Sequence, residues 1–356
     1  MENFKVGDTV QWASAANGSW KENWKRRNDE MGKAAHFDVG RLLCIDFLDD
    51  EINGEVPLAI IVLHDSDGTA YPNLVLMKLA AWHKAKGDTV ERFMPLLHNQ
   101  RNDLIVYSSK VFSWTPEDGY LPPDAIKGGT GYGLSNTLPD EIEHICPDYS
   151  FYGVNYSLGF LTRGCIRSCP WCIVPSKEGT IREHADIEEF CRHRDVKLMD
   201  NNVLAHSHGI AQIEKIARLD LRVDFNQGLD ARLIDDSIAR RLAALRWIRF
   251  IRLACDNKSQ MHDVEKAVRL IRNAGGHYRE YFCYVLVKDV DDAHDRVLFL
   301  ESLGVKSFAQ PYRDWNGTQP THKQKCFARW CNRPQIRETT SWIQYWAQHK
   351  YRDAAA

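Results

Sequence analysis

Apolar positions along the chain change their spacing in a regular way, and the changes mark out elements. Residues 56–63 (Val-Pro-Leu-Ala-Ile-Ile-Val-Leu) form a continuous apolar run, as expected of a parallel strand covered on both faces. Leu74, Met77, Ala81 and Lys84 then recur at helical spacing and stop before Gly87, a natural position just past a helix. Residues 89–93 and 103–107 read as further short strands, and residues 125–127 run into Gly128-Gly129-Thr130-Gly131. Strand, helix and strand in this order predict a small doubly wound α/β domain over residues 54–150.

From there the repeat becomes regular. Candidate strands fall at 157–161, 196–199, 221–225, 248–253, 282–287 and 305–309, with helical stretches around Glu188, Ile213, Ile238, Val268 and Val297. Six β/α units predict a partial parallel (β/α)6 TIM-like barrel over residues 151–320. Residues 321–356, with Trp330, Trp342 and Trp346, read as helices packed on its outside. Residues 1–53 differ from all of this. Residues 4–12 hold a turn signal and then alternation, residues 37–47 are a second strand-like run, and a polar stretch at 21–33 lies between them. The plain reading is a small β-rich module.

Composition narrows the class. With 356 residues, 44% hydrophobic and 26% charged, the chain can bury a full core, and disordered, collagenous and coiled-coil readings are excluded. The longest apolar stretch is far short of the roughly 20 residues of a membrane helix, and no apolar leader core opens the chain, so a soluble, cytoplasmic protein with no membrane partner is expected. Forty-six basic against 48 acidic side chains do not point to nucleic acid, though they leave room for a local basic groove. Ten cysteines without an export signal argue for metal binding over a disulfide framework.

The most informative residues are Gly164-Cys165-Ile166-Arg167-Ser168-Cys169-Pro170-Trp171-Cys172. Thiolates are soft ligands suited to iron–sulfur clusters or zinc, and three of them can hold three corners of a 4Fe-4S cube while leaving the fourth iron open. A structural zinc loop is the alternative. It would need a fourth ligand, and the nearest set, His322 with Cys326 and Cys331, lies far downstream. Cys191, Cys255 and Cys283 fall in helix or strand patterns, as small buried hydrophobes do. Cys44 and Cys146 carry no interpretable spacing.

The Cys-x3-Cys-x2-Cys spacing, with an aromatic residue before the last cysteine and a strand just ahead, resembles the signature of the radical S-adenosylmethionine enzymes. The resemblance covers about residues 151–311. It implies a 4Fe-4S cluster on Cys165, Cys169 and Cys172 whose open iron chelates the amino and carboxylate groups of S-adenosylmethionine. One electron then cleaves the sulfur–C5′ bond, and the resulting 5′-deoxyadenosyl radical abstracts a substrate hydrogen. It also implies a small-molecule substrate and a reductase such as flavodoxin or ferredoxin. Trp171 matches the aromatic position near the adenine. Asp200 and Asn202 stand where many members carry a Gly-Gly-Glu that holds the methionine amino group. Gln227, Asp230 and Arg232 follow the third strand at the barrel mouth, with Arg232 a bidentate partner for the methionine carboxylate. Asp256, after the fourth strand, reaches toward ribose or substrate. For Asp230 and Arg232 a surface ion pair or a helix cap is the competing reading.

Residues 56–150 resemble the cobalamin-binding-like domain that precedes the barrel in one subgroup of these enzymes, through the opening strand, Tyr71-Pro72-Asn73-Leu74 and the glycine run 128–133. The Asp-x-His-x-x-Gly cobalt-ligand motif is missing, since His64-Asp65-Ser66-Asp67-Gly68 holds similar residues in another order. Bound cobalamin is therefore not expected, although members lacking the motif can hold it base-off. A narrower resemblance, to radical enzymes related to queuine lyase, implies a modified purine or 7-deazapurine substrate, with His64, Asp65 and Asn73 lining the pocket. The competing reading of Pro72-Asn73 is a helix start. The rivals to a hydrogen-abstracting enzyme are a cobalamin-dependent or methylthio-transferring member, and a non-catalytic iron–sulfur or zinc module that binds nucleic acid.

Overall fold

Short apolar strands alternate with amphipathic helices, and in the computed structural model they form a mixed α/β chain whose sheets are mostly parallel. The structure describes residues 10–12, 45–47, 58–98, 101–275, 280–315 and 317–350. The chain divides into two units, Met1–Val154 and Asn155–Ala356. No described helix is long and apolar enough to cross a membrane.

Of the N-terminal segment, β1 (Val10–Trp12) pairs in parallel with β2 (Ile45–Phe47), with Val10 opposite Ile45. The polar stretch 21–33, Cys44 and the remainder of the two strand-like runs lie outside the described residues.

The sheet of the first unit is built from β3 (Ile60–Asp65), β4 (Thr89–Arg92), β5 (Leu104–Ser109) and β6 (Ile126–Gly128), in the order β4-β3-β5-β6 and all parallel. The chain leaves β3 to one side, then crosses to the other, so a topological switch point falls between β3 and β5. Both faces of the sheet are covered: Ile61 and Leu63 pack with Leu76 and Leu79 on one side, Val62 with Leu104 and Val106 on the other. This double burial explains the continuous apolar run in the sequence. The intervening helix α1 (Leu74–Ala85) starts where Asn73 Oδ1 accepts the Leu76 N–H. It ends at Gly87, whose φ of +91° a side chain would strain.

In the second unit β7 (Ser157–Gly159) leads to a short antiparallel pair, β8 (Thr162–Arg163) with β9 (Arg182–Glu183), then to β10 (Asp195–Leu198). Helix α2 (Ser207–Arg218), β11 (Arg222–Phe225), α3 (Asp236–Ala244) and β12 (Arg246–Trp247) follow. After them come β13 (Phe250–Ala254), α4 (Met261–Asn273), β14 (Glu280–Val287), α5 (Val290–Ser302) and β15 (Val305–Pro311). Two parallel sheets result, β12-β11-β10-β7 and β13-β14-β15, joined by one parallel bridge between Leu229 and Leu253.

The fourth strand expected at 248–253 is seen as β13, which pairs with β14, while the separate two-residue strand β12 just before it pairs with β11. The helix expected around Glu188 is a single turn, Ile187–Phe190, whereas α4 buries Val264, Ala267, Val268 and Ile271 at the spacing of one helix face. The tail forms α6 (His322–Cys331) and α7 (Trp342–His349), each opened by a capping box, Thr321 with Gln324 and Ser341 with Gln344. Phe327, Trp330 and Trp342 belong to the same apolar core as the strands, so the tail completes that core.

Candidate functional site

The cysteine motif occupies a loop closed at its base by the β8–β9 pair. Gly164 opens the loop with φ of +80°, and a Cβ there would lie 2.2 Å from the Thr180 carbonyl oxygen. Only glycine lets the two arms approach this closely. The Gly164 N–H donates to Glu178 Oε2 at 2.8 Å, the same oxygen accepts from Asn201 Nδ2 at 2.9 Å, and the Cys165 N–H donates to the Gly179 carbonyl at 3.2 Å. The loop is fixed by its own backbone and by one carboxylate.

Cys165, Cys169 and Cys172 line one cavity of about 380 Å³. Its wall also holds Trp171, Asn202, Gln227, Asp230, Arg232 and Asp256, every cofactor-binding candidate singled out in the sequence except Asp200. Trp171 belongs to the cysteine loop, and the others come from the segments that follow the C-terminal ends of β10, β11 and β13, where ligands of parallel sheets bind.

Asp230 organises the polar side of the cavity. Its side chain is almost buried, and its carboxylate accepts from Arg232 Nε at 2.6 Å, Arg167 Nε at 3.0 Å and Asn202 Nδ2 at 3.3 Å. Burial alone would raise the Asp230 pKa, but the bonds and charges of Arg232 and Arg167 outweigh it and hold the group below the ordinary carboxylate value. It also caps the short turn Ala231–Leu233, so both the ion pair and the cap weighed from the sequence are present, on the cavity wall. Asp256 shifts the other way. Burial raises it, against the nearby Arg296 charge, the Leu286 N–H, Arg232 and a hydrogen bond from Trp171.

Asn202 is 3% exposed. Its Nδ2 donates to Cys165 Sγ at 3.4 Å, while its Oδ1 is a buried acceptor with no hydrogen-bond partner. A buried carbonyl of this kind costs roughly 1–3 kcal/mol unless something donates to it. Asp200 has a different task. It accepts the N–H groups of Leu161 and Thr162 and the Thr162 hydroxyl at 2.6–3.2 Å, tying the end of β10 to the chain entering the cysteine loop. Complete burial pushes its pKa up to about 6, in spite of these donors.

The donor set suits a soft metal or an iron–sulfur cluster: three thiols from one loop, sharing one cavity with an unpartnered amide oxygen. Among the described residues no three His, Cys, Asp or Glu side chains converge as a metal-holding group, so the thiols share the cavity without meeting at one point. Burial raises the Cys169 and Cys172 thiols above their ordinary value, with Arg232 opposing it at Cys169 and the Val174 N–H at Cys172.

The three first-unit candidates sit at the switch point. His64 Nδ1 hydrogen bonds to Ser108 Oγ at 2.8 Å and its Nε2 lies 3.2 Å from Asp118. Asp65 accepts from the Tyr152 hydroxyl at 2.6 Å, and Asn73 combines its capping role with a bond to Ser109 Oγ at 2.9 Å. Each is committed to partners within its own unit. Cys255 and Cys283 are fully buried and Cys191 partly so, as small core residues. Cys326 lies 3.4 Å from His322 Nε2, and Cys331 3.5 Å from Ser307 Oγ.

Sequence reasoning passed over Glu178, Arg167, Gln260, Asp263 and Gln310. Arg167 lay inside the motif and was readable there. Gln260, whose Oε1 accepts the Asp256 N–H, and Gln310 come to the cavity only through the tertiary fold. No family model matches the chain, and no curated protein matches it.

Proposed function

We propose that the second unit is the partial barrel of a radical S-adenosylmethionine enzyme, with β7, β10, β11, β13, β14 and β15 as its six parallel strands. Cys165, Cys169 and Cys172 would hold a 4Fe-4S cluster, and S-adenosylmethionine would fill the cavity beside them. The observation that carries this reading is that the three thiols of one loop line the same cavity as Trp171, Asn202, Arg232 and Asp256. When bound and reduced, the cluster supplies the electron that splits the sulfur–C5′ bond into methionine and a 5′-deoxyadenosyl radical, which takes a hydrogen atom from a small-molecule substrate.

The chain's own residues bind and orient. Asn202 Oδ1 accepts from the ammonium group of the methionine moiety, which supplies its missing donor. Arg232 and Arg167, held side by side by Asp230, pair with the carboxylate. Asp256, whose carboxyl is pushed up by burial and which Trp171 anchors by a hydrogen bond, meets a ribose hydroxyl. A reductase such as flavodoxin or ferredoxin delivers the electron, and a modified purine or 7-deazapurine base is the proposed substrate. Cobalamin has no part in this reading.

The test is anaerobic reconstitution with iron and sulfide, then dithionite reduction with S-adenosylmethionine and chromatography for 5′-deoxyadenosine. The expected result is 5′-deoxyadenosine that disappears, with the brown colour, in Cys169→Ala. A chain that takes up zinc and assembles no cluster would overturn the proposal in favour of a binding module.

A further inference from the structure

The largest fully buried side chain among the described residues is a charged one, Arg296 of α5, at 1% exposure. Helix α5 does not need it for packing, since Val290, Ala293, Val297 and Leu300 already bury an apolar face. An apolar side chain in place of a buried ion pair is often neutral or stabilising. Docking of the helix therefore leaves the guanidinium unexplained.

Its hydrogen bonds fork over two strand ends. Nη1 donates to the carbonyl of Cys255, one residue past β13, and Nη2 donates to the carbonyl of Leu286, one residue before the end of β14, at 2.8 Å. Asp292, one helical turn earlier, accepts from Nε at 2.8 Å and lies 2.6 Å from Nη2, which fixes the plane of the fork. These bonds fall where the ladder between the strands stops. The register ends at Ala254↔Tyr284, and the Cys255 N–H bonds to the Tyr284 carbonyl at 2.9 Å. The next peptide unit is held by side chains at both of its ends: Arg296 takes the Cys255 carbonyl, and Gln260 Oε1 accepts the Asp256 N–H at 2.5 Å. Asp256 projects from that unit on the cavity wall, where its carboxylate accepts from Trp171 and from the Leu286 N–H. Leu286 thus meets Asp256 through its N–H and Arg296 through its carbonyl, which closes a ring of bonds.

We infer that Arg296 is a positioning residue for the cavity, joining the ends of β13 and β14 from behind and setting where the Asp256 carboxylate stands. The inference rests on the radical reading above for its meaning, since there Asp256 meets a ribose hydroxyl. Arg296 does not line the cavity, so it acts through Asp256 and Leu286, which do. Lysine would keep the charge and lose the planar fork that spans both carbonyls.

The first measurement uses the full-length chain with isotope-labelled tryptophan and no ligand. The Trp171 indole N–H resonance is identified by its loss in Trp171→Phe. Asp256→Asn should shift it, because the indole then faces an amide. Arg296→Lys should shift it as well, although it changes neither partner of that hydrogen bond. The second measurement is calorimetry of S-adenosylmethionine on the reconstituted chain before reduction. Asp256→Asn and Arg296→Lys should each weaken binding by about tenfold, the scale of one hydrogen bond to a charged group. The double variant should fall within about twofold of either single one, as residues acting through one contact do. Asp292→Ala, at a partly exposed position, removes the brace of the fork and should move both readings the same way. It decides the matter if Arg296→Lys does not fold.

A Trp171 resonance that stays in place in Arg296→Lys and Asp292→Ala overturns the inference and leaves the radical reading standing. Additive losses in the double variant also overturn it, since they assign Arg296 to stability alone. A chain that binds no S-adenosylmethionine while its Trp171 resonance moves as expected supports the positioning role and overturns the radical reading of the cavity.

Discussion

Asp200 and Asn202 stand two positions apart, and both were candidates from the same short motif. The fold gives them opposite tasks. Asp200 is surrounded by donors from its own chain, whereas the Asn202 amide carries a carbonyl that nothing satisfies. The sequence could mark the pair because polar residues after a parallel strand are conspicuous. It could not separate them, because the Leu161 and Thr162 N–H groups that claim Asp200 are some forty residues away in the chain. Asp200 also yields a pH prediction. Its folded pKa, about 6, lies above the ordinary 3.8, so the native state binds the extra proton in that window, and stability falls as pH rises from about 4 to 6. Urea midpoints at pH 4.5 and 6.5 should differ more in the native sequence than in Asp200→Asn, which cannot ionise there. Asn202→Ala should weaken S-adenosylmethionine binding by about tenfold, the cost of one hydrogen bond to a charged group, with little change in the urea midpoint. Equal affinities in calorimetry would remove Asn202 from the site.

At the scale of elements, the cysteine loop was legible and its fastening was not. The spacing of Cys165, Cys169 and Cys172 is local information, carried within eight residues. Glu178 closes the loop from 14 residues beyond Gly164, just before Gly179 at φ +72°, and only the folded hairpin brings them together. Gly164→Ala should therefore abolish cluster assembly, measured as iron and sulfide per chain, while far-UV circular dichroism keeps its α/β signature. The collision is with backbone at Thr180, which cannot move aside as a side chain can. Glu178→Ala leaves the Gly164 N–H unpaired and should lower stability by roughly 1–2 kcal/mol by urea titration, with cluster content reduced rather than lost. The strands were readable from apolar runs and alternation. The separate short strand β12, paired with β11 just ahead of β13, was not, since pairing depends on residues distant in sequence.

At the scale of the whole molecule, the apolar cores of the two units share no residue among the described residues. The tail belongs to the second core: Phe327 is fully buried and packs edge-on against Trp342 at 5.1 Å. Phe327→Ala should cost about 3–5 kcal/mol. Hydrogen exchange should show loss of protection in peptides from β14, β15 and α6 while those from β3 and β5 keep theirs. The sequence placed these aromatic residues in helices correctly, but their depth depends on packing that no local pattern records. Net charge gave little about the site, because Arg167, Arg232, Asp230, Asp256 and Asp263 nearly cancel within one cavity.

The change of sheet between β12 and β13 has a consequence for how the sheets breathe. The Ile248 N–H bonds to the Val223 carbonyl, and four residues on, the Arg252 carbonyl accepts the Leu229 N–H, so backbone bonds stitch the seam between the two sheets at both ends, and side-chain bonds, Arg252 to Asp224 and Tyr284 to the Asn226 carbonyl, cross it between them. Such a seam is the place where a parallel array can widen without unfolding. The amides of residues 249 and 250 should therefore exchange with deuterium earlier than those of β11 or β14 on either side. Because Gln227 stands on one bank of the seam and Asp256 on the other, its width sets how far apart the two sides of the cavity rest.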